Sequence, residues 1–141
     1  MPDACKVIVS RLAGAGYRAY AVGGCVRDSL LGRTPHDWDI ATDARPEETK
    51  AVFRDLPVIE TGIRHGTITV LLGGAPYEIT TFRIDGAYSD GRRPDSVSFA
   101  AAIEDDRARR DFTINAIAYS ETEGFAGKFL NPDCLSNTYF L

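Results

Sequence analysis

The sequence is poor in the residues that build disulfide frameworks and transition-metal centres. It has three cysteines, Cys5, Cys25 and Cys134, and two histidines, His36 and His65, in 141 residues. The cysteines are odd in number and widely spaced, and they lack the spacing of zinc ligands. We therefore expect neither a disulfide framework nor structural zinc, and we assign no catalytic role to either histidine.

Long apolar runs and a leader pattern are also missing. No stretch approaches the roughly 18 apolar residues that a membrane helix needs. Asp3 and Lys6 interrupt the N-terminus, which lacks the basic-then-apolar order of a signal peptide. These features predict a cytoplasmic protein without a membrane partner.

The chain has no excess of basic charge, since 16 Lys and Arg face 20 Asp and Glu. The arginines are nevertheless uneven, with a cluster at Arg92, Arg93, Arg107, Arg109 and Arg110. This chain alone would hold a polyanion weakly, because such binding scales with the number of phosphates neutralised. The hydrophobic content of 44% and the length suit one globular domain.

Turn residues divide the chain into alternating helical and extended segments. Helices are predicted at 4–13, at 25–31 and, in two pieces, at 103–119. A further helix is predicted to follow a cap at Thr42 or Asp43, with Pro46 in its first turn. Strands are predicted at 17–22, 37–41, 57–61, 66–72 and 76–83, with a hairpin across Gly73-Gly74 and a loop at 84–96. This order predicts a mixed α/β (α+β) domain over residues 1–125, with helices packed on a small sheet. Residues 126–141 have no periodicity and are interpreted as an atypical, interrupted end.

Asp37 and Asp39 form an Asp-x-Asp pair on a predicted strand. Residues i and i+2 of a strand project from the same face, so both carboxylates would converge. Two neighbouring anions favour a hard divalent cation between them, and Mg²⁺ would leave positions open for phosphate oxygens. The alternative is that both residues end a turn and face solvent.

A second candidate feature is the Gly23-Gly24 turn between a strand and a helix. Two glycines let the backbone approach a ligand closely, and a helix N-terminus attracts phosphate. Arg27, one turn into that helix, could add its guanidinium to the same phosphate. A tight structural turn is the competing interpretation.

Other polar residues could complete such a site. Glu78 lies among β-branched residues on a predicted strand, where a polar site or an exposed edge would explain it equally. Arg110 and Asp111 stand at the start of a predicted helix, where Arg110 could meet a triphosphate or simply be solvated. Asn115 could hydrogen-bond a sugar hydroxyl or a neighbouring backbone group.

Taken in order, these motifs resemble the class II nucleotidyltransferases, which include CCA-adding enzymes and bacterial poly(A) polymerases. The stretch VGGCVRDSLLGRTPHDWDIAT carries the resemblance, together with TGIRHGTITV, YEITTFRIDG and RRPDSVSFAAAIEDDRARRDFTINAIAY. The similarity covers roughly residues 5 to 120 and is strongest to the CCA-adding branch.

The resemblance implies a role for each matching position. Asp37 and Asp39 would bind catalytic Mg²⁺, and Gly24, Arg27 and Arg110 would contact the incoming ATP or CTP. Residues 84–95 would form the loop that helps to switch from C to A addition, and Glu78 would sit on the following strand. The reaction would add CMP or AMP to the 3′ end of tRNA.

The sequence departs from the family after the catalytic head. Members continue into neck, body and tail domains, and a neck helix of the Glu-Asp-x-x-Arg type selects the base. The chain has Asn131-Pro132-Asp133-Cys134 and ends at Leu141 without such a helix. Alternatives are therefore a bacterial poly(A) polymerase head, or a catalytically silent fragment that binds nucleotide only.

Overall fold

The computed structural model describes residues 1–85, 97–99, 103, 106, 117–121 and 123–126. The helices are α1 (Asp3–Gly14), α2 (Gly24–Leu30) and α3 (Pro46–Val52), with a 3-10 turn at Ile63–His65. The strands are β1 (Ala19–Val22), β2 (Asp39–Thr42), β3 (Val58–Ile59), β4 (Thr67–Leu72), β5 (Ala75–Thr81), β6 (Arg83–Asp85), β7 (Val97–Phe99), β8 (Ala118–Ser120) and β9 (Gly124–Ala126). The predicted mixed α/β architecture is confirmed. In the described part of the chain, no helix has the length and apolar character to cross a bilayer.

The main sheet is mixed. Its strands lie in the order β3-β4-β5-β2-β1-β8-β9, and β6 pairs with β7 separately. Strands β2 and β5 run parallel, whereas the other paired neighbours are antiparallel. The predicted hairpin at Gly73-Gly74 joins β4 to β5, and both glycines have positive φ, as a tight two-residue turn requires.

The two faces of the sheet have different surroundings. Helix α1 covers one face with a buried stripe, Cys5, Ile8, Val9 and Leu12. This stripe packs with the sheet residues Ala19, Ile40, Ile68, Val70 and Ile79 and with Phe53. The other face carries a second cluster, Tyr20, Val22, Ala41, Phe82, Ile103 and Ala118. Because successive strand residues alternate between faces, Asp39 lies on the second face and Ile40 on the first.

Several predicted element boundaries were wrong. Strand β2 begins at Asp39 rather than Asp37. The N-cap of the third helix is Arg45, whose backbone N–H donates a hydrogen bond to the Glu48 carboxylate at 2.7 Å. Thr42 does not cap this helix but belongs to β2, and its hydroxyl donates a hydrogen bond to the Arg18 carbonyl. The predicted strand 76–83 is split, because Phe82 leaves β5 and donates its N–H to the Thr42 carbonyl.

The predicted helix 103–119 was wrong at its C-terminal end. Ile103 and Asp106 are helical, but Ala118–Ser120 forms β8. Ala118 and Tyr119 pair with Val22 and Ala21 of β1. The apolar residues are buried as expected, but pairing with a central strand decides their backbone conformation.

Candidate active site

The Gly23-Gly24 turn joins β1 directly to α2. Gly23 has φ 80° and ψ −140°, a conformation that residues with a side chain rarely adopt. Its N–H donates to the Ile117 carbonyl at 3.0 Å, which ties the turn to the residue before β8. The backbone therefore requires glycine at position 23, whereas Gly24 already has a helical conformation.

Arg27 folds back over this turn. A Cβ atom added at Gly24 would lie 3.4 Å from Nη2 of Arg27 and 3.9 Å from its Cζ. The Arg27 side chain is 31% exposed. Its Nε donates to the Asp28 carboxylate at 2.8 Å. The turn and a partly exposed guanidinium thus face each other across a gap that a methyl group would occupy.

Asp28 orients Arg27 and is in turn affected by it. The hydrogen bond from Arg27 holds the pKa of the Asp28 carboxyl below its ordinary value, and the positive charges of Arg27 and Arg33 add to this. The same hydrogen bond raises the pKa of Arg27. Both groups therefore remain charged at neutral pH, and the guanidinium keeps a fixed direction.

Arg27→Met is expected to raise the pKa of Asp28 toward its ordinary value, because the hydrogen bond that contributes most to lowering it is lost. With Arg27 present, the pKa of Asp28 is lowered. The ion pair therefore stabilises the fold at pH values above the ordinary carboxyl pKa, and this stabilisation is lost as the pH falls through the lowered pKa. Titration of the carboxyl carbons by NMR would measure the change. Asp55 is the matched control, because Arg11 holds its pKa low independently. An unmoved Asp28 pKa in the variant would contradict the assignment.

Asp39 lies beside Glu78 on the face opposite α1. Asp39 is paired with Val22 of β1 on one side and with Glu78 of β5 on the other, and Glu78 is paired with Thr69 of β4. Residues paired in this way point from the same face of a sheet. Both carboxylate residues are exposed. The sheet register thus aligns the two acidic positions in one row, which begins one residue before the glycine turn.

Asp37 is also exposed but stands outside β2, two residues before its start. The argument from strand alternation consequently applies to Asp39 and not to Asp37, and convergence of the two carboxylates stays a prediction. In the part of the chain that the structure describes, no three His, Cys, Asp or Glu side chains are grouped as a ready metal site.

The chemistry of the donors nevertheless suits a hard cation. Asp37, Asp39 and Glu78 offer exposed carboxylate oxygens, which are the ligands that Mg²⁺ prefers. Protein sites for Mg²⁺ commonly use one or two carboxylates and leave the other positions to water and substrate phosphates. A two-carboxylate site that is completed by a triphosphate therefore fits these residues.

Cys25 is a residue of this region that the sequence reasoning missed. Its thiol is buried and donates to the Val22 carbonyl at 3.2 Å. Burial raises the pKa of the Cys25 thiol, although hydrogen bonding from the Asp39 backbone opposes this. The sequence feature that could have identified Cys25 is its position directly after Gly23-Gly24.

A second missed group lies at the base of the β6–β7 pair. The Arg83 N–H donates to the fully buried Asp106 carboxylate at 3.2 Å, and the Arg83 guanidinium donates to the His65 carbonyl. In the sequence, Asp106 stands in a run of charges, where a buried carboxylate cannot be distinguished from solvated ones.

Arg110, Asp111 and Asn115 lie outside the described residues, as do residues 86–96 of the predicted loop.

Trp38 separates the two aspartates and points toward the helix side. It is half-buried and packs against the α1 cluster and against a smaller cluster of Ala21, Cys25, Val26 and Ile117. It also lines an apolar hollow of about 200 Å³, together with Leu30 and Phe125. The indole therefore anchors the segment that carries both carboxylates to the core.

Residues 19–131 match the family model described as the Poly A polymerase head domain. The CCA-adding enzyme of Lactobacillus delbrueckii subsp. bulgaricus is 58% identical over 111 residues, which are 79% of this chain and 28% of that protein. The CCA-adding enzyme of Streptococcus pyogenes serotype M2 is 53% identical over 122 residues, 86% of this chain and 30% of that protein. The chain thus spans less than a third of the length of these curated relatives.

Solved structures share the fold. The Bacillus stearothermophilus CCA-adding enzyme in complex with CTP superposes with a TM-score of 0.79 at 41% identity, covering 95% of this chain and 31% of that one. A tRNA nucleotidyltransferase complexed with a primer tRNA and an incoming ATP analog gives a TM-score of 0.63 at 28% identity, covering 92% and 36%. The predicted nucleotidyltransferase head fold is confirmed.

Proposed function

Because this chain belongs to the poly A polymerase head-domain family, we propose that it is the catalytic head of a CCA-adding nucleotidyltransferase. It would transfer CMP and AMP from CTP and ATP to the 3′ end of tRNA without a template. The observation that carries the proposal is the placement of Asp39, which lies in register between Glu78 and the end of the strand that enters the Gly23-Gly24 turn. The similarity to CCA-adding enzymes supports the choice of product.

The triphosphate would bind at the turn. The space between Gly24 and the Arg27 guanidinium admits a phosphate oxygen, since nothing larger than hydrogen projects from Gly24. Arg27 would add a charge-assisted hydrogen bond, and Asp28 fixes its direction. Arg110, Asp111 and Asn115 are proposed as further nucleotide contacts on the resemblance alone.

The carboxylates would act at the α-phosphate. Asp37 and Asp39 would hold Mg²⁺, which would neutralise the charge that develops on the phosphate and favour loss of the hydroxyl proton. Glu78, beside Asp39 in the row, would complete the acidic site that faces the RNA 3′ hydroxyl. The RNA 3′ hydroxyl would give its proton to this acidic site and attack the α-phosphorus of the triphosphate; a new P–O bond would form as the bond between the α-phosphorus and the pyrophosphate oxygen breaks, and pyrophosphate would leave. The protein contributes mainly position and charge, as in phosphoryl transfer generally.

Incubation of the 141-residue chain with tRNA lacking its 3′ end, supplying each triphosphate in turn, tests the proposal. Addition of C and then A supports it. Long A tails would replace it with the second candidate, a poly(A) polymerase head, which the family description favours. Binding of triphosphate without incorporation would indicate a catalytically silent head.

Weak triphosphate binding by this chain, with little preference between CTP and ATP, is a further expected result. The proposed contacts of this site are to phosphate and metal, which CTP and ATP complexes share. Titration calorimetry with CTP, ATP and GTP in Mg²⁺ measures it. Sharp selection of CTP over GTP by the chain alone would show that base selection resides within these residues, contrary to this view.

A further inference from the structure

The row of acidic residues at the candidate site continues into a part of the sheet that carries hydroxyls. Glu78 of β5 is paired with Thr69 of β4, so the Thr69 side chain projects from the same face as Asp39 and Glu78. Neighbouring strands lie about 4.8 Å apart, which places Thr69 about 10 Å from Asp39, across β5. A hydroxyl therefore lies beyond Glu78, on the side away from Asp39.

Two further threonines stand in the next row of this face. Thr80, two residues after Glu78, is paired with Thr67 of β4. Their hydroxyl oxygens are 2.9 Å apart, so one hydroxyl donates a hydrogen bond to the other. Because each hydroxyl carries one hydrogen, the pair keeps one O–H that can donate to a group outside it. We call Thr67, Thr69 and Thr80 the threonine face.

The threonine face borders the hydrophobic cluster on the same side of the sheet. That cluster takes its strand residues from β1, β2 and β8. Thr80 is paired with Ala41 of the cluster, and the residues of the threonine face are only half-buried. A ligand that lies over Asp39 and Glu78 would therefore continue onto hydroxyls and not onto apolar side chains.

The direction of nucleotidyl transfer indicates which substrate lies on this side. The attacking oxygen, the phosphorus and the leaving oxygen are roughly in line. The Gly23-Gly24 turn, where the triphosphate is proposed to bind, follows Val22, the β1 partner of Asp39. Pyrophosphate would therefore leave on the β1 side of Asp39. The attacking 3′ hydroxyl would have to approach from the opposite side, over β5 and β4.

We propose that the threonine face binds the ribose and phosphate groups of the RNA 3′ end. The inference rests on the proposed function, because it takes the metal at Asp39 and the triphosphate at the glycine turn. Threonine hydroxyls contact phosphate and sugar oxygens in nucleic-acid complexes, and such contacts carry no sequence information. This suits an RNA end whose last base changes with each addition.

The first measurement locates the RNA on the 141-residue chain. A single-stranded RNA hexamer is titrated in Mg²⁺, and the threonine methyl groups are followed by NMR. The methyl signals of the threonine face should shift, whereas that of Thr49, which is buried in α3, should not. A DNA hexamer of the same sequence should bind about threefold more weakly or worse, since it lacks the 2′ hydroxyl. An unmoved threonine face at saturating RNA, or no RNA binding, would overturn the inference.

The second measurement is the dissociation constant of the RNA hexamer for matched variants. Thr69→Val should raise it about fivefold through the loss of one hydrogen bond, and Thr69→Ser should stay within about twofold of wild type. Ser10→Ala removes an exposed hydroxyl from α1, on the opposite face, and should have no effect. Titration calorimetry of Thr69→Val should give wild-type affinity for Mg·CTP, which a general loss of structure would not.

These results separate the inference from the proposed function. If Thr69→Val binds RNA as Ser10→Ala does, the threonine face is wrong even when the chain incorporates CMP. If the expected shifts and affinities are found but no CMP is incorporated, the RNA site stands and the catalytic assignment fails.

Discussion

Asp39→Asn is expected to reduce CMP incorporation about a thousandfold or more. A metal ion contributes several kcal/mol of transition-state stabilisation, and each 1.4 kcal/mol is about tenfold in rate. Asparagine keeps the size of the side chain but removes the negative charge that would hold the ion. Because Asp39 is exposed at the start of β2, the fold should be unaffected.

A chimaera would give the assay a complete enzyme. Residues 1–126 would replace the matching head of the Lactobacillus delbrueckii relative, and transfer of radiolabelled CMP to tRNA lacking its 3′ end would be measured. Asp43→Asn is the matched control: Asp43 directly follows the same strand, but it pairs with Arg18 at the opposite end. It should change the rate by less than about threefold, since this partly exposed ion pair lies at the far end of β2 and such pairs contribute only about 1 kcal/mol or less. Activity of Asp39→Asn within tenfold of wild type would place the metal elsewhere.

Alanine at Gly23 and alanine at Gly24 are expected to have opposite consequences. Gly23→Ala forces a side chain into φ 80° and ψ −140°, and should lower the free energy of unfolding by about 1–3 kcal/mol. Gly24→Ala meets no such strain, because Gly24 is the first residue of α2. It should keep the free energy of unfolding or raise it by up to about 1 kcal/mol.

Gly24→Ala should weaken nucleotide binding, although it does not destabilise the fold. Its added methyl would stand 3.4 Å from Arg27 Nη2, in the gap proposed for a phosphate oxygen. Loss of one charge-assisted hydrogen bond should weaken Mg·CTP binding about tenfold or more. Urea unfolding and titration calorimetry measure the two effects on the same samples. If Gly24→Ala binds CTP as the wild type does, phosphate does not approach this turn.

The elements predicted most accurately are those with local signals. Helix 4–13 is found at Asp3–Gly14, helix 25–31 at Gly24–Leu30, and the hairpin turns at Gly73-Gly74. In each case glycine marks where the chain changes direction. Such signals act within a few residues and need no partner elsewhere in the chain.

Features that depend on residues far apart in the chain were harder to predict from the sequence. The β8 residues Ala118–Ser120 form a strand because they pair with β1, almost a hundred residues earlier. The alignment of Asp39 with Glu78 depends on the parallel pairing of β2 with β5, which no local pattern specifies. The motif therefore identified the acidic residues, whereas their arrangement came from the sheet.

The place of Trp38 gives the protein a built-in optical probe. It is the chain's single tryptophan, and it stands between the two aspartates while its ring packs into two core clusters. Indole emission depends on the local electric field and on contact with solvent. Any cation that settles on the neighbouring carboxylates alters that field, so occupation of the site can be followed by fluorescence in the unlabelled chain.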